Sequence, residues 1–426
     1  MMDQNELPKG WEVKKLEEVC EKITDGSHFS PKSTTEGYPY VTVKDIKNDR
    51  VDLNNCLKIS EDDFLNLAKN DCRPLENDIL FSKDGTVGKV ALINYNSDFV
   101  VLSSIAILRS NLRVVYPKYL FHILKSSNFL NQALNQKKGV AIRRIILRDL
   151  KNLSLNLPPL PEQHRIVAKI EALFSQLDNG VTQLKKAKEQ LKVYRQAVLK
   201  WAFEGRLTNA NIKEGELPEG WKWVKIGEYV GCIVPNRDKP KSFSGNIPWL
   251  TTPDLDENSI SINFSKVNSG LTKEEAAAYK AKIIPIDSVI ITCVGKFGVA
   301  AVIDSEVVIN QQLHAFLPSK YFAPKFIAYN IISQKTYCER KSTSTTIAYL
   351  NKENCNSIPI PLCPLAEQHL IIQEIESRLS ICDKLEETIT QALQQSEALR
   401  QSILKRAFEG RLVSGESNRQ ERSKKR

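Results

Sequence analysis

The sequence predicts an α+β protein made of two similar globular modules, each followed by a long α-helix. Three observations support this fold class. At 426 residues the chain is longer than one hydrophobic core usually serves, its second half repeats motifs of the first, and each half ends in a stretch with helical periodicity. We predict that the two helices pack together as an antiparallel coiled coil, which would give the chain a pseudo-two-fold axis.

Four short motifs establish the repeat. L-P-x-G-W and G-x-x-G each return after 210 residues, whereas E-Q-H and A-F-E-G-R-L each return after 205 residues. The first copies begin at Leu7, Gly85, Glu162 and Ala202, and the second at Leu217, Gly295, Glu367 and Ala407. The offset changes from 210 to 205 residues inside the modules and is 205 at both E-Q-H and A-F-E-G-R-L. The stretch between these two motifs therefore has the same length in both halves, and we interpret it as a spacer.

Each spacer has the properties of one long helix. No proline occurs between Pro161 and Pro218 or after Pro364, and apolar residues recur every three or four positions. From Glu162 to Phe203 the first helix would have 42 residues, or roughly 63 Å at about 1.5 Å per residue. The turn-forming residues 178–180 leave open whether this helix kinks.

Prolines before each helix and a glycine after it mark the domain boundaries. We predict a first module at 1–156, a central helix at 157–207, a second module at 208–357, a C-terminal helix at 358–412 and a disordered basic tail at 413–426. The modules mix short β-rich runs with polar loops and short helices. Each G-x-x-G motif lies between β-rich runs, which predicts a strand-turn-strand unit with glycines that serve backbone geometry.

Basic and amide side chains in the modules are candidates for contacts with a polyanion. The net charge is +10 with a pI near 9.0, which favours nucleic acid only weakly. Candidate phosphate contacts are Lys83, Lys89, Lys137, Lys138, Arg143, Arg144 and Arg148 in the first module and Lys296, Arg340 and Lys341 in the second. Gln311 and Gln312 are candidates for adenine contacts. The alternative is that each such residue is ordinary solvated surface.

Other residue types predict no chemistry. The nine cysteines are scattered without a C-x-x-C pair, so we expect buried apolar roles, with no structural zinc and no disulfides. For the repeated His164 and His369 we favour packing at the helix start over catalysis. No nucleotide-binding, zinc-protease or amino-methyltransferase motif is present, so we expect no catalytic residue and no metal site. No apolar run approaches a membrane span and the N-terminus lacks a signal-peptide pattern, which predicts a cytoplasmic protein without membrane contact.

The motifs together resemble the specificity subunit of type I restriction-modification enzymes. The L-P-x-G-W opening of each module, the stretch P-P-L-P-E-Q-H-R-I-V-A-K-I-E at 158–171 and the ending A-F-E-G-R-L are typical of that family. The resemblance covers 7–412. The second copy differs only modestly, where 362–366 replace the fuller proline run.

This resemblance implies a function and a set of partners. Each module would be a target-recognition domain for one half of an asymmetric bipartite sequence in double-stranded DNA, and the helices would fix the gap. Two methyltransferase subunits would bind S-adenosylmethionine, and restriction subunits would use ATP and Mg²⁺. The chain itself would bind no cofactor and perform no catalysis. Two alternatives remain at this point: a scaffold protein whose modules bind other proteins, and a self-contained methyltransferase, which the missing motifs argue against.

Overall fold

The computed structural model describes residues 7–135, 144–209, 211–235, 239–342 and 348–413. The chain divides into two compact units, one formed by Met1–Leu184 with Gln391–Arg426 and the other by Lys185–Thr390. Each unit combines one globular module with part of both long helices. The predicted basic tail, from residue 414 onward, lies outside the described residues.

The first unit contains the elements of the first module. Its strands are β1 (Glu12–Lys15), β2 (Cys20–Asp25), β3 (Tyr38–Val41), β4 (Ile46–Lys47), β5 (Arg50–Val51), β6 (Leu57–Ile59), β7 (Asp78–Ser82), β8 (Val90–Leu92), β9 (Val100–Val101), β10 (Ile105–Ser110) and β11 (Ser154–Leu157). Its helices are α1 (Leu16–Val19), α2 (Glu61–Lys69), α3 (Pro117–Leu124), α4 (Ser127–Asn135) and α5 (Leu147–Lys151). The long helix α6 (Leu160–Phe203) begins in this unit and ends in the other.

The second unit contains the elements of the second module. Its strands are β12 (Lys222–Lys225), β13 (Cys232–Ile233), β14 (Ile247–Leu250), β15 (Gly270–Leu271), β16 (Val289–Thr292), β17 (Ala300–Val302), β18 (Val308–Ile309), β19 (Leu313–Phe316) and β20 (Pro359–Leu362). Its helices are α7 (Lys273–Ala278), α8 (Pro324–Ser333), α9 (Lys335–Lys341) and α10 (Lys352–Asn356). The long helix α11 (Leu365–Phe408) begins here and ends in the first unit.

The two modules share one strand order. Four-stranded antiparallel sheets have the orders β2-β10-β7-β8 and β13-β19-β16-β17, and three-stranded sheets have the orders β6-β3-β9 and β15-β14-β18. A parallel pair occurs at the same place in each, β3 with β9 and β14 with β18. The first strand of each module pairs antiparallel with its last, β1 with β11 and β12 with β20. The predicted α+β class with two similar domains is confirmed.

A buried glutamine joins each module to the start of its long helix. Gln163 donates to the carbonyl oxygens of Val114 (3.1 Å) and Pro158 (2.8 Å) and accepts from the backbone N–H of Tyr116 (2.7 Å). Gln368 makes the equivalent contacts with Tyr321, Cys363 and Ala323. Both side chains are 0% exposed. The central residue of E-Q-H therefore recurs because it satisfies backbone groups that burial would leave unpaired.

Within each unit, the two long helices contact each other in antiparallel fashion. In the first unit, Arg400 of α11 pairs with Asp178 of α6 and lies 4.3 Å from the centroid of the Phe174 ring. In the second, Arg195 lies 2.6 Å from Asp383, and Lys188 lies 3.4 Å from Glu386, so residue numbers rise along one helix and fall along the other. This arrangement agrees with the predicted antiparallel packing.

Helix α6 is continuous through the turn-forming residues 178–180. The Asp178 carboxylate pairs with Arg400, and its carbonyl oxygen accepts a hydrogen bond from the Thr182 hydroxyl at 2.8 Å. The ion pair with Arg400 favours a helical position for Asp178, a residue type that otherwise prefers caps and turns. Leu173 and Leu177, two of the apolar residues that recur every three or four positions in α6, are partly buried, as that spacing predicts.

The repeated terminal motifs of the long helices pack on the opening motifs of the modules. Gly410 (φ +73°) would place a β-carbon 2.2 Å from Cγ of Pro8, and Gly205 (φ +76°) would place one 2.3 Å from Cγ of Pro218. Both glycines therefore serve two needs, a left-handed backbone and a close approach by proline. The sequence indicated the first need as a helix cap and gave no sign of the second.

Candidate nucleic-acid interface

The G-x-x-G motifs form the turns of two matching hairpins. Gly85, Gly88, Gly295 and Gly298 all have positive φ, between +66° and +97°, and connect β7 to β8 and β16 to β17. A side chain is strained in that backbone region, so glycine serves the turn itself. The predicted strand-turn-strand units are confirmed.

Two of the predicted lysines have their ammonium groups engaged inside the first module. Lys83 is 1% exposed and forms an ion pair with Asp25. A buried, paired ammonium does not reach a phosphate, so the structure corrects our expectation that Lys83 contacts DNA. Lys89 is partly buried and donates to the carbonyl oxygens of Val43 (2.9 Å) and Ile46 (3.1 Å). These two carbonyls use two of the three N–H groups of the ammonium. The third remains for a phosphate oxygen, so a DNA contact of Lys89 stays a prediction.

Of the predicted arginines of the first module, Arg144 lies beside the glycine turn. Arg144 pairs with Asp84 through a β-bridge, and its Nε lies 3.3 Å from the Asp84 carboxylate. Its side chain is 51% exposed and that of Arg148 is 74% exposed. Both guanidinium groups are therefore accessible to a phosphate. Lys137, Lys138 and Arg143 lie outside the described residues.

The second module has the same juxtaposition. Val294 bridges to Tyr349, and the N–H of Gly295 donates to the carbonyl of Ala348 at 3.1 Å. Lys296 is 70% exposed and pairs with Glu257. Arg340 and Lys341 are exposed at the end of α9. In each module the glycine turn thus lies next to a segment that ends or follows a group of predicted basic residues. This segment contains Arg144 in the first module and Tyr349 in the second.

The predicted glutamines Gln311 and Gln312 follow β18, at the edge of the three-stranded sheet where the parallel strands β14 and β18 end. Gln312 accepts a hydrogen bond from the Thr252 hydroxyl at 3.1 Å. Gln311 lines a concave pocket of about 280 Å³ together with Lys239, Phe243, Trp249, Thr251, Ser269 and Asn310. An aromatic wall, an amide and a cation around one concavity are suited to contacts with the edge of a base and its phosphate. The sequence indicated the glutamines but not the aromatic residues, which approach them only through the β14–β18 pairing.

The two modules present different side chains at corresponding positions. The N–H of Lys83 donates to Ser104 in the first module, and the N–H of Cys293 donates to Gln312 in the second, at 2.7 and 2.8 Å. This equivalence aligns Ser103 and Ser104 with the two glutamines. Hydroxyls therefore stand in one module where amides stand in the other, and the two groups offer different hydrogen-bonding patterns.

The recurrent histidines lie at the helix starts. The ring of His164 stacks on that of Tyr116 with centroids 4.0 Å apart, in agreement with the packing role that we favoured. His164 and His369 are both exposed, and a packing role for His369 stays a prediction. The neighbouring Glu367 accepts hydrogen bonds from the Trp221 indole (3.0 Å) and from Asn209 (3.2 Å), which ties the L-P-x-G-W motif to the helix start.

One buried cluster of reactive side chains lies behind the second glycine turn. Sγ of Cys355 lies 3.8 Å from Sγ of Cys293 and 3.2 Å from Nδ1 of His314. The hydrogen bond with Cys293 and the adjacent His314 ring lower the pKa of Cys355 to about 6, whereas burial raises that of Cys293. The sequence gave no signal for this cluster, because its members are 21 and 41 residues apart.

The fold and the candidate site define a protein of two modules that share one strand order and present different hydrogen-bonding groups at corresponding positions. The sequence profile described as "Type I restriction modification DNA specificity domain" matches residues 8–192 and again 218–395. The chain belongs to this family, and the resemblance to type I specificity subunits is confirmed.

Individual relatives agree over nearly the whole chain. The type I restriction enzyme StySPI specificity subunit of Salmonella potsdam is 25% identical over 433 residues, which cover 97% of this chain and 91% of that protein. The HsdS subunit from Thermoanaerobacter tengcongensis has a similar fold, with a TM-score of 0.62 at 21% identity over 95% of this chain and 98% of that one. A chain from a structure of complex assembly in the type I R-M system has a TM-score of 0.72 at 21% identity, covering 95% and 99%.

Within the described part of the chain, none of the helices combines the length and apolar character that a membrane span requires.

Proposed function

We propose that this chain reads an asymmetric bipartite DNA sequence, with one half-site for each module and a gap fixed by the long helices. The observation that carries this proposal is the shared strand order of two modules whose corresponding positions hold different hydrogen-bonding groups. One architecture with two surfaces suits two different half-sites. The equal length of α6 and α11, 44 residues each, supports a spacer of defined length.

Exchange of a module tests this assignment. Residues 217–357 are replaced by the same segment of another family member, and the methylated sequence is determined with the cognate methyltransferase. We expect one half-site to change while the other half-site and the gap stay the same. A change in both half-sites would contradict the modular reading.

Lengthening the helices tests the spacer separately. Seven residues are inserted after Leu184 in α6 and seven before Gln391 in α11. Seven residues are close to two helical turns, so the apolar residues on either side of each insert stay on the same face of the helix. At about 1.5 Å per residue the insert adds roughly 10.5 Å, or about 3 base pairs at a DNA repeat near 34 Å per turn. We expect a longer gap between unchanged half-sites. A matched insertion in the loop at 211–216 should leave the gap as it is, and an unaltered gap in the helix variant would refute the spacer.

Single substitutions distinguish positioning from base readout. Replacing Arg148 or Arg340 with Ala should weaken binding to all sequences and reduce the dependence of log K on log salt by about 0.9 per lost phosphate contact. Gln311→Ala should instead relax specificity in one half-site by about 1–3 kcal/mol per base pair. Lys405→Ala, which removes an exposed cation of α11, provides the control. Uniform loss with Gln311→Ala would argue against its role in base readout.

We further propose that the chain is not itself an enzyme. Methylation would be performed by two methyltransferase subunits that bind S-adenosylmethionine, and cleavage by restriction subunits that use ATP and Mg²⁺. The family membership supports this division, and exposed apolar residues on the long helices, including Leu370 and Ile381, supply surface for such partners. Two methyltransferases per chain by light scattering, and no methylation by the chain alone, are the expected results. Methyl transfer by the purified chain would overturn the assignment.

A further inference from the structure

We propose that Cys293, His314 and Cys355 bind one divalent metal ion of the zinc type in the interior of the second module. The three ligand atoms all lie within 4.8 Å of one another, and all three residues are 0% exposed. The proposal is independent of DNA recognition and contradicts our expectation from the sequence that the cysteines have only apolar roles.

Two of the three separations between ligand atoms are close to those of a tetrahedral site. With Zn–S bonds of about 2.3 Å, two thiolates of a tetrahedron lie about 3.8 Å apart, and a thiolate and an imidazole nitrogen about 3.6 Å apart. The observed Sγ–Sγ distance is 3.8 Å, and the distance from Cys355 Sγ to His314 Nδ1 is 3.2 Å. These two separations are therefore within a few tenths of an ångström of the tetrahedral values, and the third, between Cys293 and His314, is no more than 4.8 Å. Thiolates and an imidazole are ligands that zinc prefers.

A fourth side chain orients the histidine. The hydroxyl of Tyr349 lies 3.5 Å from Nε2 of His314, on the side of the ring away from the thiols. If Nε2 carries the proton and donates to this oxygen, Nδ1 keeps its lone pair for a metal. Histidine ligands commonly have such a partner on their second nitrogen.

The ligands come from three separate elements. Cys293 follows β16, His314 lies in β19 and Cys355 lies in α10. The backbone of Cys293 is fixed on both sides, since its N–H donates to Gln312 at 2.8 Å and its carbonyl accepts from Leu350 at 2.9 Å. A bound ion would tie α10 to the hairpin that carries the second glycine turn. Three protein ligands leave the fourth position to water or a further thiol, and Cys232 and Cys338 lie in the same core.

The first module provides an internal comparison. By strand register and backbone contacts, the positions of Cys293, His314 and Cys355 correspond to Lys83, Ala106 and Leu150. The shared fold therefore does not require ligand-type side chains at these positions. Since the first module holds alanine at the position of His314, packing of the shared fold does not by itself explain a buried histidine beside two cysteines. We infer that the set is particular to the second module.

Cobalt(II) is the probe for this site, because thiolate ligation to Co²⁺ gives a charge-transfer band and tetrahedral coordination gives strong visible bands. The full chain, kept reduced and free of metal, is titrated with Co²⁺. We expect one equivalent to bind with both signatures, and Zn²⁺ to displace it. Cys293→Ser and Cys355→Ser should lose the charge-transfer band or most of its intensity. Cys72→Ser, which removes a buried thiol of the first module, should leave the band unchanged.

Two further measurements keep the proposal testable if the serine variants fold poorly. Tyr349→Phe retains all three ligands and should lower metal affinity by about 10- to 100-fold without loss of the band. X-ray absorption of the zinc-loaded wild-type chain should show sulfur and imidazole nitrogen around the metal. A shell of oxygen alone, or a charge-transfer band that persists in the folded double variant C293S/C355S, would overturn the assignment.

Discussion

Replacement of Gln163 by leucine tests how the module is held at the start of its helix. Leucine has a similar volume but offers neither donor nor acceptor. The substitution would leave unpaired the N–H of Tyr116 and the carbonyls of Val114 and Pro158, which Gln163 now contacts at 2.7–3.1 Å. Gln163 itself is 0% exposed, so solvent does not readily replace these contacts.

The size of the effect follows from the number of orphaned groups. Each unpaired buried group costs about 1–3 kcal/mol, while burial of a leucine side chain returns about 1.5–3 kcal/mol. The expected net loss is therefore about 3 kcal/mol, or roughly a 150-fold increase in the local opening constant. Because the chain has two units, a single unfolding midpoint would mix their contributions.

Hydrogen exchange measured by mass spectrometry resolves the two units. In Gln163→Leu we expect exchange to accelerate about 100-fold in peptides that contain α3, with little change in α8. Gln368→Leu is the matched variant and should show the reverse pattern, because its contacts are with Tyr321, Cys363 and Ala323. Acceleration below tenfold, or acceleration in the wrong unit, would refute the reasoning.

Two further predictions concern the first unit. Gly180 lies in the middle of α6, and a β-carbon there would meet nothing within 4 Å. Gly180→Ala should therefore stabilise the helix by about 0.5–1 kcal/mol, measured as roughly two- to fivefold slower hydrogen exchange in peptides around residue 180, whereas faster exchange would indicate an unrecognised need for glycine. His122 is buried, its Nδ1 lacks a hydrogen-bond partner, and burial lowers its pKa to about 3. The charged groups Lys118 and Lys125 on or beside α3 and Arg400 on α11 oppose its protonation, and the rings of Phe121 and Phe174 pack against it. Its pKa in the unfolded chain is near 6.5, so the unfolded state binds more protons below that pH, and stability falls as pH decreases from 6.5 towards 3. At pH 5 the loss should be about 2 kcal/mol, and His122→Leu should remove this part of the pH dependence. The measurement is the difference in the opening free energy of α3 peptides between pH 7.5 and 5, from hydrogen exchange corrected for the intrinsic exchange rate. An equal difference in the variant and the wild type would contradict the pKa assignment.

The repeat and its long helices were predictable because their signals are local. Proline-free stretches, apolar spacing and terminal glycines act within a few turns of one helix, so α6 and α11 lie within the predicted helical segments. The glycine turns were predictable for the same reason, since positive φ is a property of single residues.

The candidate site was predicted only in part, because charge on a residue does not reveal what lies next to it. Lys83 and Arg148 have the same formal charge, yet Lys83 is buried against Asp25 while Arg148 is 74% exposed. The aromatic wall beside Gln311 also depends on strand pairing between distant segments.

The sequence by itself determined the duplication, the family and the two long helices, since these depend on short motifs and on periodicity along one segment. Tertiary structure decided which of the repeated residues hold the fold together and which face solvent. Hydrogen bonds of Gln163 and Gln368 connect each module to its helix. Cys293, His314 and Cys355 became neighbours through the pairing of β16 with β19 and the packing of α10 against them. Such contacts depend on packing between elements, and the chain order of the residues does not encode them in any local pattern.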